Sequence, residues 1–147
     1  MADGKTYGIN FPFRDSFDGK YLDLSDYSDE EVRSSLIHLL LTRKGSRYFL
    51  PKFGTRLYEY IFEPLDGPTF SDIETEIRDS VETYIPNLVI NSIKITPAID
   101  DLTNTDSEIR TYNLPGRAEI EYTAKVRIDY TITDNVFNSS DFIIINI

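Results

Sequence analysis

Carboxylates are the most abundant reactive groups in this chain, with 25 Asp and Glu among 147 residues. Glu59 lies one helical turn before Glu63, and Asp66 follows closely. Glycoside hydrolysis uses two carboxylates across a cleft, one of them held protonated by its surroundings. Acids at these spacings are routine in so acidic a chain, and no neighbouring pattern predicts a buried acid beside a substrate groove. Asp15, Asp18 and Asp23 raise the question of calcium, but the frame set by Gly19 puts Arg14 at the first ligand position of an EF-hand loop. His38 is the only histidine and cysteine is absent, so there is no Cys/His zinc cluster, no thiolate chemistry and no disulfide. His38 reads as a partly exposed helical residue. Gly4, Gly8 and Gly19 are too scattered to cradle a phosphate. The residues therefore predict no catalytic group, no cofactor and no metal.

The length fits one domain over 1–147, and 40% hydrophobic residues supply a core. No apolar run approaches the roughly 20 residues that span a bilayer, and no basic-then-apolar leader is evident. The net charge of −10 disfavours nucleic acid, whose binding needs cations to displace phosphate counterions. The expected partners are proteins, with neither nucleic acid nor membrane among them.

Residues 1–23 read as an extended arm, aromatic at Tyr7, Phe11 and Phe13 and turn-rich after Asp15. Ser28-Asp29-Glu30-Glu31 is a capping box, and Val32, Leu36, Leu39 and Leu40 recur at helical spacing behind it. Arg43 and Lys44 suit the helix end, with Gly45 as the left-handed residue after it. Thr55 is placed to cap a short helix over 56–63, which Pro64 stops. Asp66-Gly67-Pro68 reads as a turn. Ser71 to Glu74 is a second capping box, opening a helix that Pro86 ends.

Beyond Pro86 the period changes to two. Val89, Asn91, Ile93 and Ile95 are expected on one face, Leu88 and Ile90 on the other. Residues 98–117 are mostly polar and read as an inserted loop, with a small hairpin around Ile109 to Tyr112. From Ala118 to Thr133 every even position is apolar or aromatic and every odd one polar, which predicts a long strand with one dry face. Phe142 to Ile147 alternates little, so both sides of that strand want cover. The architecture predicted is α+β: the N-terminal arm and helices packed on one face of a mainly antiparallel sheet formed by the C-terminal half.

Leu41-Thr42-Arg43-Lys44-Gly45-Ser46-Arg47, then Pro51-Lys52-Phe53-Gly54, Leu57 and Phe62-Glu63-Pro64, resemble the signature of a phage family. It is the small wedge subunit of contractile-tail baseplates, the sheath initiator, with a relative in the baseplates of type VI secretion systems. Phe11-Pro12-Phe13 fits the same pattern, and the resemblance covers roughly Gly8 to Ile95. It implies a structural, non-enzymatic wedge component in the virion tail baseplate, assembled in the host cytoplasm, that links the wedge to the sheath and initiates sheath assembly by strand addition. The implied partners are the tail sheath protein and the larger wedge proteins with their helical core bundle. The implied sheath-binding strand is Phe142, Ile143, Ile144, Ile145, Asn146 and Ile147. Many relatives carry Glu-Pro-Arg where this chain has Ile85-Pro86-Asn87, the implied wedge-core contact. Only the proline matches, so charge-assisted pairing is lost there. The family has also been labelled lysozyme-like, which makes a peptidoglycan-cleaving hydrolase the alternative.

Overall fold

The computed structural model describes residues 6–17, 19–64, 66–97, 111–113, 124–133 and 138–147. Strands β1 (Gly8–Ile9) and β2 (Leu24–Ser25) pair antiparallel ahead of helix α1 (Ser28–Leu41). A 3₁₀ helix (Glu59–Phe62) and helix α2 (Gly67–Tyr84) follow. Strands β3 (Leu88–Pro97), β4 (Thr111–Asn113), β5 (Ala124–Ile132) and β6 (Ser139–Asn146) form one sheet in the order β3-β5-β6-β4. The β3–β5 and β5–β6 pairs are antiparallel and β4 runs parallel to β6. The α+β architecture predicted from the sequence is the one observed.

The core lies between the helices and one face of the sheet. Val32, Leu36, Ile37, Leu39 and Leu40 of α1 meet Ile73, Ile77 and Val81 of α2, and both sets cover Val126, Ile128, Tyr130 and Ile132 of β5. Strict alternation in β5 explains this: its even residues are buried and its odd ones only partly so. Residues 118–123, the first part of that alternating run, lie outside the described residues. In β6, Ile143 and Ile145 enter the core, followed by Ile147, while Ile144 is buried on the opposite face. Both faces of the strand are covered, as its lack of alternation demands.

β3 departs from the expected alternation. Leu88, Ile90, Ile93 and Ile95 all pack on the core side and Val89 is exposed. The register against β5 shifts between Ile90 and Ser92, so Asn91 is an extra residue in a bulge. A bulge flips the facing of everything after it. That is why Ile93 and Ile95 share a face with Leu88 and Ile90 rather than with Val89.

Both helix starts also differ from the capping boxes. In α1 the N-cap is Tyr27, without a side-chain bond, and the Glu31 carboxylate accepts from the Ser35 hydroxyl. α2 begins ahead of Ser71, because Asp66 caps it by accepting from the Thr69 amide at 3.2 Å and Pro68 occupies the first turn. Asp-Gly-Pro is a helix opening here, since proline is preorganised for a position whose amide has no intrahelical partner.

Candidate functional site

Two outward-facing features can meet a partner's backbone or side chains: the outer side of β6 and the loop between α1 and the 3₁₀ helix. The loop is built first by the chain. Helix α1 ends at Leu41, and Thr42 turns extended, one turn earlier than the Arg43-Lys44-Gly45 ending expected. Arg43 then bridges Thr55 in parallel fashion. The Lys44 amide donates to Thr55 O at 3.0 Å, and the Thr55 amide to Thr42 O at 2.9 Å. The buried Thr55 hydroxyl donates to Leu40 O at 2.9 Å, so this residue ties the loop to α1 instead of capping a helix. Of the expected helix over 56–63, only the short 3₁₀ stretch forms.

Gly54 is required at the base. Its φ is +109°, and a Cβ there would meet Thr42 O at 2.4 Å. Gly45, at φ +88°, is left-handed as expected but serves the loop rather than the helix end: its amide donates to Pro51 O at 2.8 Å. Inside the loop, Arg47 sits 4.2 Å over the Phe53 ring and donates from Nη2 to Nε2 of His38. A guanidinium cannot accept, so His38 receives this bond as a neutral imidazole. Its pKa is accordingly lowered, first by burial and second by the Arg47 charge. His38 also contacts the rings of Phe13 and Phe53, and Phe53 meets Tyr84 edge-on at 5.1 Å. One chain of rings thus joins the N-terminal arm, α1, the loop and α2. Phe11 is the arm's inward anchor, with its amide on Ser34 Oγ at 3.2 Å, while Tyr7 and Phe13 remain about half exposed.

The outer side of β6 follows from its register. Ala124 and Ile147 exchange both backbone bonds, at 2.9 and 2.8 Å. By antiparallel alternation Ser139, Asp141, Ile143 and Ile145 bond to β5, whereas Ser140, Phe142, Ile144 and Asn146 turn their backbone groups away from it. The parallel strand β4 lies along Ile144 to Asn146. β4 thus occupies part of the edge of Phe142–Ile147, the strand the resemblance implies for the sheath. Thr111–Asn113 is a strand of the sheet; the rest of 98–117 lies outside the described residues. Among the described residues β4 reaches Thr111 beside Ile144, short of Ser140 and Phe142. The Phe142 amide donates to its neighbour Asp141 Oδ1 at 2.8 Å, and Asp141 also takes Arg33 of α1 at 3.2 Å and the Tyr130 hydroxyl at 3.3 Å. On the sheet's outer face Arg127 lies 4.3 Å over the Phe142 ring. Asp129 beside it is held below the usual carboxylate range, first by the Ser92 hydroxyl and then by Arg127.

Ile85-Pro86-Asn87 is the turn from α2 into β3. Pro86 and Asn87 are exposed, and the Asn87 carbonyl accepts from the Thr133 amide at 2.8 Å. Pro86 lines an open cleft of about 530 Å³ with Arg78, Val81 and Glu82 of α2 and Leu88 to Ile90 of β3. Glu59, Glu63 and Asp66 are all exposed, and Asp66 spends its carboxylate on Thr69. Among the described residues no helix is long and apolar enough to cross a membrane, and no group of three or more His, Cys, Asp or Glu is placed to hold a metal ion.

A two-helix layer on one face of a mixed four-stranded sheet has counterparts among solved structures. The chain is similar to a subunit in the cryo-EM structure of the anti-feeding prophage baseplate, at TM-score 0.61 and 21% identity, over 86% of this chain and 84% of the other. It is also similar to a crystal structure described as a tail lysozyme from Geobacter sulfurreducens, at TM-score 0.57 and 17% identity, over 80% and 89%. At such identities these likenesses show the fold alone. The family is shown by sequence: the model of the baseplate wedge protein gp25 family matches residues 26–135, and the chain belongs to that family. The baseplate wedge protein gp25 of Enterobacteria phage T4 is 35% identical over 72 residues, 49% of this chain and 54% of that protein. The match thus spans about half the length of this relative.

Proposed function

We propose that this chain is a non-enzymatic structural subunit of a contractile-tail baseplate that joins the wedge to the tail sheath and starts sheath assembly by strand addition. The observation that carries the reading is the outer side of β6, where Ser140 and Phe142 turn backbone groups away from β5 and, among the described residues, β4 stops beside Ile144; with the Phe142 amide on Asp141, the outward groups on offer are the Ser140 amide and the carbonyls of Ser140 and Phe142. Outward main-chain donors and acceptors at a sheet margin are a template for a strand from another chain. A longer incoming strand starts at Ser140 and Phe142 and replaces β4, whose parallel contact is only three residues long. The exposed Pro86-Asn87 turn and its cleft serve the wedge side, docking on the helical core bundle by shape and apolar contact.

Removing residues 141–147 does not test this, because Ile143, Ile145 and Ile147 are in the core. Ser140→Pro does. Ser140 is exposed and its amide is outside the β5 ladder, so proline removes an outward donor while the fold survives. Baseplates carrying Ser140→Pro should incorporate the subunit normally and polymerise at least ~10-fold less sheath, a loss of about 1.4 kcal/mol or more in the docking step. Normal polymerisation would refute strand addition on this side. The hydrolase reading rests on an exposed Glu63; purified protein should not clear cell walls, and Glu63→Gln should change nothing.

A further inference from the structure

We infer that the loop Arg43–Arg56 is a second docking site, separate from the sheet, which inserts the tip Tyr48-Phe49-Leu50 into an apolar pocket rimmed by carboxylates on another protein of the assembly. It rests on the reading that the chain works inside a baseplate, but not on strand addition. Three observations carry it.

The first is exposure. Tyr48 is 99% exposed, Phe49 100% and Leu50 53%. Three successive large apolar side chains in water are unfavourable unless a partner covers them. The second is charge. The chain carries −10 overall, yet Arg43, Lys44, Arg47, Lys52 and Arg56 lie in this loop without a single acid among them. Lys44 is drawn inward to Glu76 at 3.7 Å and Arg47 onto Phe53, while Lys52, two residues past the tip, and Arg43 and Arg56, at the loop's base, are exposed. An apolar tip on a cationic loop fits an apolar pocket with carboxylates at its margin.

The third is rigidity. Gly45 to Pro51, Phe53 to Leu50 and Ser46 to Arg43 are backbone bonds of 2.8, 3.0 and 3.1 Å that close the loop on itself, above the Thr42–Thr55 clamp. A tip held in one shape loses little entropy on docking, and aromatic residues are the usual energetic centres of such contacts. Phosphate ligands fit less well. The tip is apolar rather than cationic, and the acidic remainder of the chain repels a polyanion.

The test replaces Phe49 with a photo-crosslinking phenylalanine analogue in assembled baseplates, beside the double variants Tyr48→Ala/Phe49→Ala and Arg43→Glu/Lys52→Glu. All changed side chains are exposed, so melting temperature should stay within a few degrees. The crosslink should fall on an acidic segment of another wedge protein. Each double variant should enter baseplates at least ~10-fold less, and wild-type incorporation should weaken with added salt. Full incorporation of the aromatic variant would overturn the inference, as would a crosslink to the sheath. So would loop-dependent binding to duplex DNA or phosphatidylglycerol vesicles, which would reassign the loop to phosphate. Ser140→Pro separates the two sites: it enters baseplates whether or not the loop docks as inferred, and its defect is confined to sheath.

Discussion

The β6 margin and the Arg43–Arg56 loop face outward for opposite reasons. At β6 the side chains are committed: Ile143 and Ile145 face the core, Ile144 is buried behind them, and Phe142 lies under Arg127. What that strand offers a partner is main chain. In the loop the main chain is committed, bonded to itself and to α1, and what remains to offer is side chains. A backbone template tolerates many partner sequences, since every strand carries the same donors and acceptors. A rigid aromatic tip on a cationic loop is the more selective kind of surface. The proposed role, joining sheath to wedge, would use one of each.

The sharpest way to break this contrast is at Gly54. Gly54→Ala forces a Cβ onto Thr42 O in a backbone region that L-residues avoid, at a cost on the order of 3 kcal/mol. A fall in melting temperature accompanied by loss of loop docking is the expected result, with the β3–β5–β6 amides still protected in hydrogen exchange. Thr55→Val is milder. It removes the buried bond to Leu40 O and leaves a carbonyl at the end of α1 without that partner, costing about 1–3 kcal/mol in urea unfolding.

Deleting Asn91 sharpens the comparison from the sheet side. Without the bulged residue Leu88, Ile90, Ile93 and Ile95 fall on one face by simple alternation, so the strand keeps its core contacts. The expected loss is within about 1 kcal/mol, mainly the Asn91–Thr131 bond; unfolding of the deletion variant would mean the bulge itself is essential.

The smallest effect is the pH dependence of the loop anchor. Native His38 is held below the ordinary value of 6.5, so the unfolded chain takes up this proton first as pH falls. The stability that depends on neutral His38 is complete above pH 6.5 and declines as pH drops below it, levelling off under the native pKa. Arg47→Gln should raise the His38 titration midpoint in NMR by removing the nearby charge, which an unchanged midpoint would disprove.

Periodicity was legible where one face is dry and nothing interrupts the count. β5 is the case in point, with its even residues buried as the alternation requires. β3 was not, because a single extra Asn between two apolar pairs looks in sequence like a polar member of the wet face. The helix starts moved because Asp66 with Pro68 is a stronger opening than Ser71, a competition that short polar motifs do not reveal. β4 falls where a small hairpin around Ile109 to Tyr112 was expected, but its parallel pairing with Ile144 to Asn146 was not legible, because it joins segments far apart in the chain. Gly45 was legible as a left-handed position, but the loop's closure depends on Gly54 and on Thr42 meeting Thr55, a contact between segments no local pattern links. The family signature lay in this same stretch, which is why resemblance located the motif before geometry explained it.

Strand addition at β6 is tested most directly by electron microscopy of the assembled tail at a resolution that traces the main chain beneath the first sheath ring. A strand from a sheath subunit should lie against Ser140 and Phe142 and continue in the lane that β4 otherwise holds. Finding Thr111–Asn113 still seated on Ile144–Asn146, with no second chain beside them, would contradict it.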